Sequence, residues 1–273
     1  MKLSTIAFAT LTCLIPLTSS AALDCDVKPT VTSMKAPTTY MLVGNSYTYY
    51  SSGVSNVING LANAAGLPIE SYRMITSAGA DLSWWDVWGL IRPSGMAALY
   101  PDKNGKLQRF DFRTRPVFDA VVLQDNSMGP ITPGRAEDFQ KYAKQHSYDL
   151  QCANIQPLLM MTWARKNKPE MTKQLANAIT KAGNEAQAMV IPVGLAFAEA
   201  IKKDPKLELY RADKSHPSPE GTYLEGCVIF ATMYHRSPVG LNYYGEEKVD
   251  EKTAKFLQSV AWDTTKEFFG WTK

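Results

Sequence analysis

Ala120-Val121-Val122-Leu123-Gln124-Asp125-Asn126-Ser127 decides the fold: four apolar residues stop abruptly at four polar ones. A short apolar run with no polar alternation suits a strand buried on both faces, and such strands belong to parallel sheets covered by helices on each side. Polar side chains massed where that strand ends are also what a site needs, because open parallel sheets bind ligands beyond the carboxyl ends of their strands.

The same rhythm recurs on either side. Tyr40-Met41-Leu42-Val43 ends at Gly44 and precedes a helical pattern from Val54 to Ala65, stopped by Gly66-Leu67-Pro68. A strand is expected around Ser71 to Ile75, then a small-residue loop from Thr76 to Ala80 and a segment dense in tryptophan at Trp84, Trp85 and Trp88. Beyond the opening stretch come a helix near Ala136 to Gln145, a strand at Pro157 to Thr162, a helix near Pro169 to Ala182 and a strand at Met189 to Val193. A helix from Pro219 to about His235 and an amphipathic one from Glu251 to Phe268 close the chain. Strands alternating with helices predict βαβ units around a parallel sheet, with no internal repeat and no low-complexity linker.

Met1-Lys2-Leu3, an apolar stretch from Ile6 to Leu17 and the small residues Thr18-Ser19-Ser20-Ala21-Ala22 read as a secretory signal peptide, 1–21, with cleavage after Ala21 or Ala22. Cys13 falls inside its apolar core, not at a lipidation site. No other stretch approaches the ~20 apolar residues of a membrane span. Residues 22–273 then form one domain, exported to the periplasm or the medium. The net charge of +3, which includes Lys2, gives no sign of a nucleic-acid partner. Removal of the leader leaves Cys25, Cys152 and Cys227. Cys227 sits in an apolar helical run as a buried hydrophobe would, and Cys25 with Cys152 is the expected disulfide. His146 and His235 stand apart from any cysteine cluster and read as surface or structural residues.

The third histidine lies in Asp213-Lys214-Ser215-His216-Pro217, three residues after a carboxylate. With Pro217 holding an extended or turning loop, Asp213 can reach one imidazole nitrogen and leave the other as a base. A base needs a nucleophile, and Ser46 follows the first strand in Gly44-Asn45-Ser46, at a helix start whose N–H groups face any developing anion. Ser46 there is either a nucleophile or a helix cap. Gly79, after the second strand, is either a close-approach N–H donor or an ordinary turn glycine. Gln124 and Asn126 lie two residues apart, so strand periodicity turns both amides to one side, as oxyanion donors or as partners for the sheet edge.

These residues, over roughly Tyr40 to Tyr244, resemble the SGNH/GDSL hydrolase superfamily of serine esterases and lipases. Gly44-Asn45-Ser46 is similar to its first block with Asn for Asp, Gly79 to its glycine block, and Asp213-Lys214-Ser215-His216 to its Asp-x-x-His block, while Gln124-Asp125-Asn126-Ser127 stands in place of Gly-x-Asn-Asp. Ser218-Pro219-Glu220-Gly221-Thr222-Tyr223-Leu224, with Ser237-Pro238-Val239-Gly240, looks like a bacterial branch of that superfamily. Asn45 should be tolerated as a turn support; Gln124 leaves open which amide faces the substrate. The resemblance implies a flavodoxin-like three-layer α/β/α sandwich with a central parallel sheet. It also implies a catalytic triad of Ser46, His216 and Asp213, an oxyanion hole of Ser46, Gly79 and Asn126, and no metal or organic cofactor. Trp84, Trp85, Trp88 and Trp163 suit either the lining of a cleft or, for the first three, a helix face packed in the core. Three functions stay open: an esterase of short-acyl or O-acetyl substrates, including glycans; a lipase or thioesterase of longer chains; and a non-catalytic binding module.

Overall fold

In the computed structural model, which describes residues 22–92, 99–101, 104–109 and 117–272, Ala120–Leu123 is a strand with all four residues buried. The expected leader, 1–21, lies outside the described residues. In chain order the elements are β1 (Thr39–Gly44), α1 (Ser46–Tyr49), α2 (Val54–Ala64), β2 (Ser71–Thr76), α3 (Val87–Leu90), β3 (Leu99–Pro101), β4 (Leu107–Arg109) and β5 (Ala120–Leu123). They continue with α4 (Arg135–Cys152), β6 (Gln156–Met160), α5 (Met171–Ala186), β7 (Met189–Ile191), α6 (Val193–Lys203), α7 (Pro219–Tyr234) and α8 (Glu251–Phe269).

Five strands form a parallel sheet in the order β2-β1-β5-β6-β7, and β3 pairs antiparallel with β4 apart from it. That order is the doubly wound, flavodoxin-like arrangement. Helices α2, α6, α7 and α8 pack together as one layer and α4 with α5 as another, so the fold is a three-layer α/β/α sandwich. One cluster of buried apolar side chains runs through sheet and helices. The register sets Gly44 beside Thr76 and Val43 beside Leu123, so the loops carrying Ser46, Gly79 and Asn126 leave the same edge of the sheet.

Helix α7 has no polar face. It is buried almost throughout, as expected of a helix wedged between α2 and α8. Gly226 lets α2 approach: a Cβ there would run into the side chain of Val57. Glu225 is wholly buried in this helix, and neither carboxyl oxygen has a hydrogen-bond partner.

Three expectations change. Helix α6 was not foreseen, because the apolar run from Met189 continues unbroken past Val193 and Pro192 alone separates strand from helix. The β3–β4 pair has no counterpart in the sequence pattern. The disulfide is absent: Cys25, Cys152 and Cys227 are free. Cys25 lies against α5, its Sγ donating to the Val27 carbonyl at 3.1 Å and meeting Thr180 Oγ1 at 3.8 Å, whereas Cys152 ends α4 exposed to solvent.

Candidate active site

Ser46 is the first residue of α1, and Asn45 ahead of it shapes the turn. Asn45 is buried; its Oδ1 accepts the Tyr47 N–H at 3.1 Å, capping the helix. Its Nδ2 donates to the carbonyls of Ala80 (2.8 Å) and Asp125 (3.1 Å). One side chain thus ties the serine turn to the glycine loop after β2 and to the loop after β5. A carboxylate has no hydrogen to donate to either carbonyl. Asn45 is therefore more than a tolerated turn residue: two of its bonds are beyond an aspartate.

Gln124 and Asn126 separate. Strand β5 ends at Leu123, so period-2 alternation does not carry through to Asn126. Gln124 is buried beneath the serine turn, where Oε1 accepts from the Asn45 N–H (3.0 Å) and Thr48 Oγ1 (2.8 Å), and Nε2 donates to the Asp125 carbonyl. It fills the space above Gly44, where a Cβ would stand 2.5 Å from both Gln124 Oε1 and Thr48 Oγ1. Asn126 instead lines the cleft with Ser46, Gly79 and His216. Its Nδ2 donates to the Gly79 carbonyl at 3.2 Å, leaving a second amide hydrogen for a ligand. Gly79 has φ +71° with open space around its α-carbon, so backbone conformation, not crowding, favours glycine there.

The loop between α6 and α7 carries Asp213 and His216. An antiparallel bridge between Tyr210 and Pro217 pinches it, and Arg211 N–H donates to the His216 carbonyl at 2.8 Å. Ser218 then caps α7, accepting from the Gly221 N–H at 3.1 Å. Within the pinch, Asp213 Oδ1 accepts the N–H groups of Ser215 and His216, both at 2.9 Å, while Oδ2 meets His216 Nδ1 at 2.5 Å. His216 Nε2 lies 2.8 Å from Ser46 Oγ. Partial burial pushes the Asp213 carboxyl up, but the His216 ring and the two N–H donors outweigh it and hold the group at about 2. It is therefore ionised wherever the histidine acts as a base.

Aromatic rings set the histidine from two sides. Tyr50 stacks on the imidazole at 4.2 Å between centroids, and Arg211 lies over that tyrosine ring at 5.1 Å. Below, Tyr47 and Phe197 sandwich Trp163 in parallel, each at 4.3 Å. Tyr47 Oη meets Ser215 Oγ at 2.8 Å, and Trp163 Nε1 donates to the Ser215 carbonyl at 3.0 Å. Trp163 is therefore floor, not lining. Trp84 is exposed, whereas Trp85 and Trp88 are half-buried, pack against the core and border a different hollow beside α4; none of the three forms the cleft wall, and only Trp88 does its packing from an α-helix. His146 is buried with Nε2 donating to the Leu82 carbonyl at 2.9 Å, and exposed His235 stacks on Trp271.

The cleft measures about 330 Å³. A larger hollow of about 440 Å³, between α6 and the segment after β6, adjoins it; no serine, cysteine or histidine among the described residues lines it. Arg165, which stands in both walls, was not foreseen, nor were Tyr47, Tyr50 and Ser215. The tyrosines flank Ser46 in sequence and could have been read as neighbours of the site; Arg165 lies in no motif.

No protein-family model matches the sequence, and no curated protein matches it. Solved structures do. A DUF4886 family protein from Bacteroides uniformis superposes with a TM-score of 0.58 at 18% identity, covering 83% of this chain and 93% of that one. A protein from Slackia heliotrinireducens, assigned to the SGNH hydrolases, gives 0.51 at 23% identity over 71% of this chain and 98% of its own. The acetyl xylan esterase AlAXEase gives 0.51 at 17% identity, with the same 71% and 98% coverage. At these identities the likeness shows architecture: the chain has the SGNH hydrolase fold.

Proposed function

We propose that this chain is an exported serine ester hydrolase that removes short acyl groups, O-acetyl groups on carbohydrate among them. The observation that carries the reading is the unbroken relay from Ser46 Oγ through His216 Nε2 (2.8 Å) and from His216 Nδ1 to Asp213 (2.5 Å). Glycine and amide donors stand on the same cleft wall. Ser46 Oγ attacks the ester carbonyl as His216 takes its proton, and the ionised Asp213 holds the tautomer and steadies the imidazolium. The N–H groups of Ser46 and Gly79 and the Asn126 amide receive the oxyanion; losing one such donor typically costs about 2.7–4 kcal/mol of barrier. His216 protonates the departing alcohol, and water releases the acyl group by the same route, so nucleophile and base are restored.

A cleft of about 330 Å³ with amide, hydroxyl and imidazole groups in its wall supports a short acyl group over a long chain. The acetyl xylan esterase of like fold fits the same reading. The leader-like 1–21 supports export, which mass determination of the mature N-terminus would test.

The decisive experiment pairs a p-nitrophenyl ester series of increasing acyl length with Ser46→Ala. Expected are a preference for acetyl, loss of turnover in the variant and loss of fluorophosphonate labelling, with the circular dichroism spectrum unchanged. Undiminished hydrolysis by Ser46→Ala would overturn the assignment; a preference for eight or more carbons would replace the short-acyl reading with a lipase.

A further inference from the structure

The catalytic cleft holds one permanent cation and, among the described residues, no carboxylate in its wall. The cation is Arg165, half-buried just past the end of β6. Its Nε is buried and without a hydrogen-bond partner, and the guanidinium has no ion pair among the described residues. Neighbouring cations are engaged: Lys166 pairs with Glu208, and Arg211 bonds the Pro217 carbonyl and Ser51. Asp213 of the histidine loop is taken up by His216 and two backbone N–H groups, and Glu199 of the adjoining hollow pairs with Lys202. Arg165 lines the same cleft as Ser46 and Tyr47, the residue following the serine.

Its place along the sheet says which half of an ester it would meet. Gly79 follows β2 and Arg165 follows β6, with β1 and β5 between them, so the two stand toward opposite ends of the cleft. The segment of Arg165 is joined to the histidine loop: Lys166 N–H donates to the Lys214 carbonyl at 3.0 Å, and Trp163 Nε1 to that of Ser215. Arg165 is therefore on the side where His216 hands a proton to the departing alcohol, away from the glycine side where the oxyanion forms. A guanidinium is a planar fork of donors matched to a carboxylate, and a partly desolvated one binds anions far more strongly than an exposed one.

Resting on the esterase reading above, we propose that Arg165 is an anion subsite for the alcohol half of the substrate, so that the preferred substrates are acyl esters of carboxylate-bearing alcohols, acidic sugars being the carbohydrate class. No step of the chemistry changes. Arg165 adds binding and orientation for a carboxylate a short distance from the scissile oxygen.

The test compares matched esters in the full chain: 3-acetoxybenzoate against 3-acetoxybenzamide (charge on the alcohol side), and mono-4-nitrophenyl succinate against 4-nitrophenyl butyrate (charge on the acyl side). Wild type should favour 3-acetoxybenzoate over its amide by about 10- to 100-fold in kcat/KM, the range of a charged hydrogen bond in such a setting, and the preference should shrink with added salt. Arg165→Gln should lose that ratio and Arg165→Lys should keep part of it. Fluorophosphonate labelling identifies folded variants, and the wild-type ratio and its salt dependence stand even if neither variant folds. Equal turnover of the benzoate and the amide by wild type, or a ratio untouched in labelled Arg165→Gln, overturns the subsite. An Arg165-dependent preference confined to the succinate overturns its assignment to the alcohol half. Absence of Ser46-dependent hydrolysis of all four esters is a different result, for it removes the esterase reading itself.

Discussion

Two sets of buried polar side chains in this molecule have met opposite fates. Under the serine turn, Asn45 and Gln124 are nearly inaccessible, and every bond they make is to a neighbour in the same three loops. In α7, Glu225 is just as inaccessible and both its oxygens are unpartnered, as are the hydroxyls of Thr222 and Thr232. The first set holds polarity in place by mutual satisfaction. For Glu225 the remaining way to lower the cost is to stay uncharged, and burial raises its carboxyl well above the usual carboxylate range. Burial alone therefore says little about a polar residue: partners make Asn45 a joint of the site, and their lack makes Glu225 a protonated acid in an apolar helix.

The contrast can be broken, most forcefully, at Asn45. Asn45→Asp places a charge against the Ala80 and Asp125 carbonyls and removes two donors, and should cost about 3–5 kcal/mol, as for other uncompensated buried charges. Urea denaturation of the variant measures it, and a loss under 1 kcal/mol would mean that the three loops are not held through this side chain. The next effect is pH-dependent. Above about pH 4.3 an unfolded chain releases the Glu225 proton that the folded chain retains, so stability falls as pH rises, by about 1.4 kcal/mol per unit until the folded group itself ionises. Glu225→Gln has no proton to release and should gain on wild type across that window. Denaturation midpoints at pH 5, 6 and 7 check this; parallel curves would show that Glu225 is ionised in the fold and paired after all. The smallest change sharpens the satisfied side: Gly44→Ala pushes a methyl group into Gln124 and Thr48 and should cost about 1–3 kcal/mol. Adding Gln124→Gly to that variant should recover part of the loss, whereas additive losses would separate the two positions.

Gln124 also marks the limit of what the chain could tell in advance. The strands were readable because apolar runs stop sharply at polar residues, and the Asp213–His216 pair because three residues of loop suffice to close it. Ser46, Gly79 and Asn126 could be placed together because each follows a strand of one parallel sheet. Which way an amide turns once the strand has ended depends on a cavity made by another strand, here the missing side chain of Gly44. Arg165 was hidden for a similar reason: only the pairing of β6 with β5, and the stitching of Lys166 to Lys214, bring it to the cleft. The tryptophan cluster was legible only in part: Trp85 and Trp88 do pack against the core, but not from one helix face as their spacing suggests, because Leu82–Trp84 is a 3₁₀ turn and α3 begins only at Val87. The expected disulfide rested on elimination among three cysteines and not on any proximity.

Ser46 and His216 are 170 positions apart, and each is adjacent in sequence to a residue of a second contact, Tyr47 with Ser215. The stacked Trp163 bonds the Ser215 carbonyl from beneath. The gap between Ser46 and His216 is thereby spanned twice, once by the serine hydroxyl with the imidazole and once by a phenol, a hydroxyl and an indole outside that contact. Disorder between these two segments is removed when the chain folds, and under the proposed esterase chemistry it need not be removed again at each turnover.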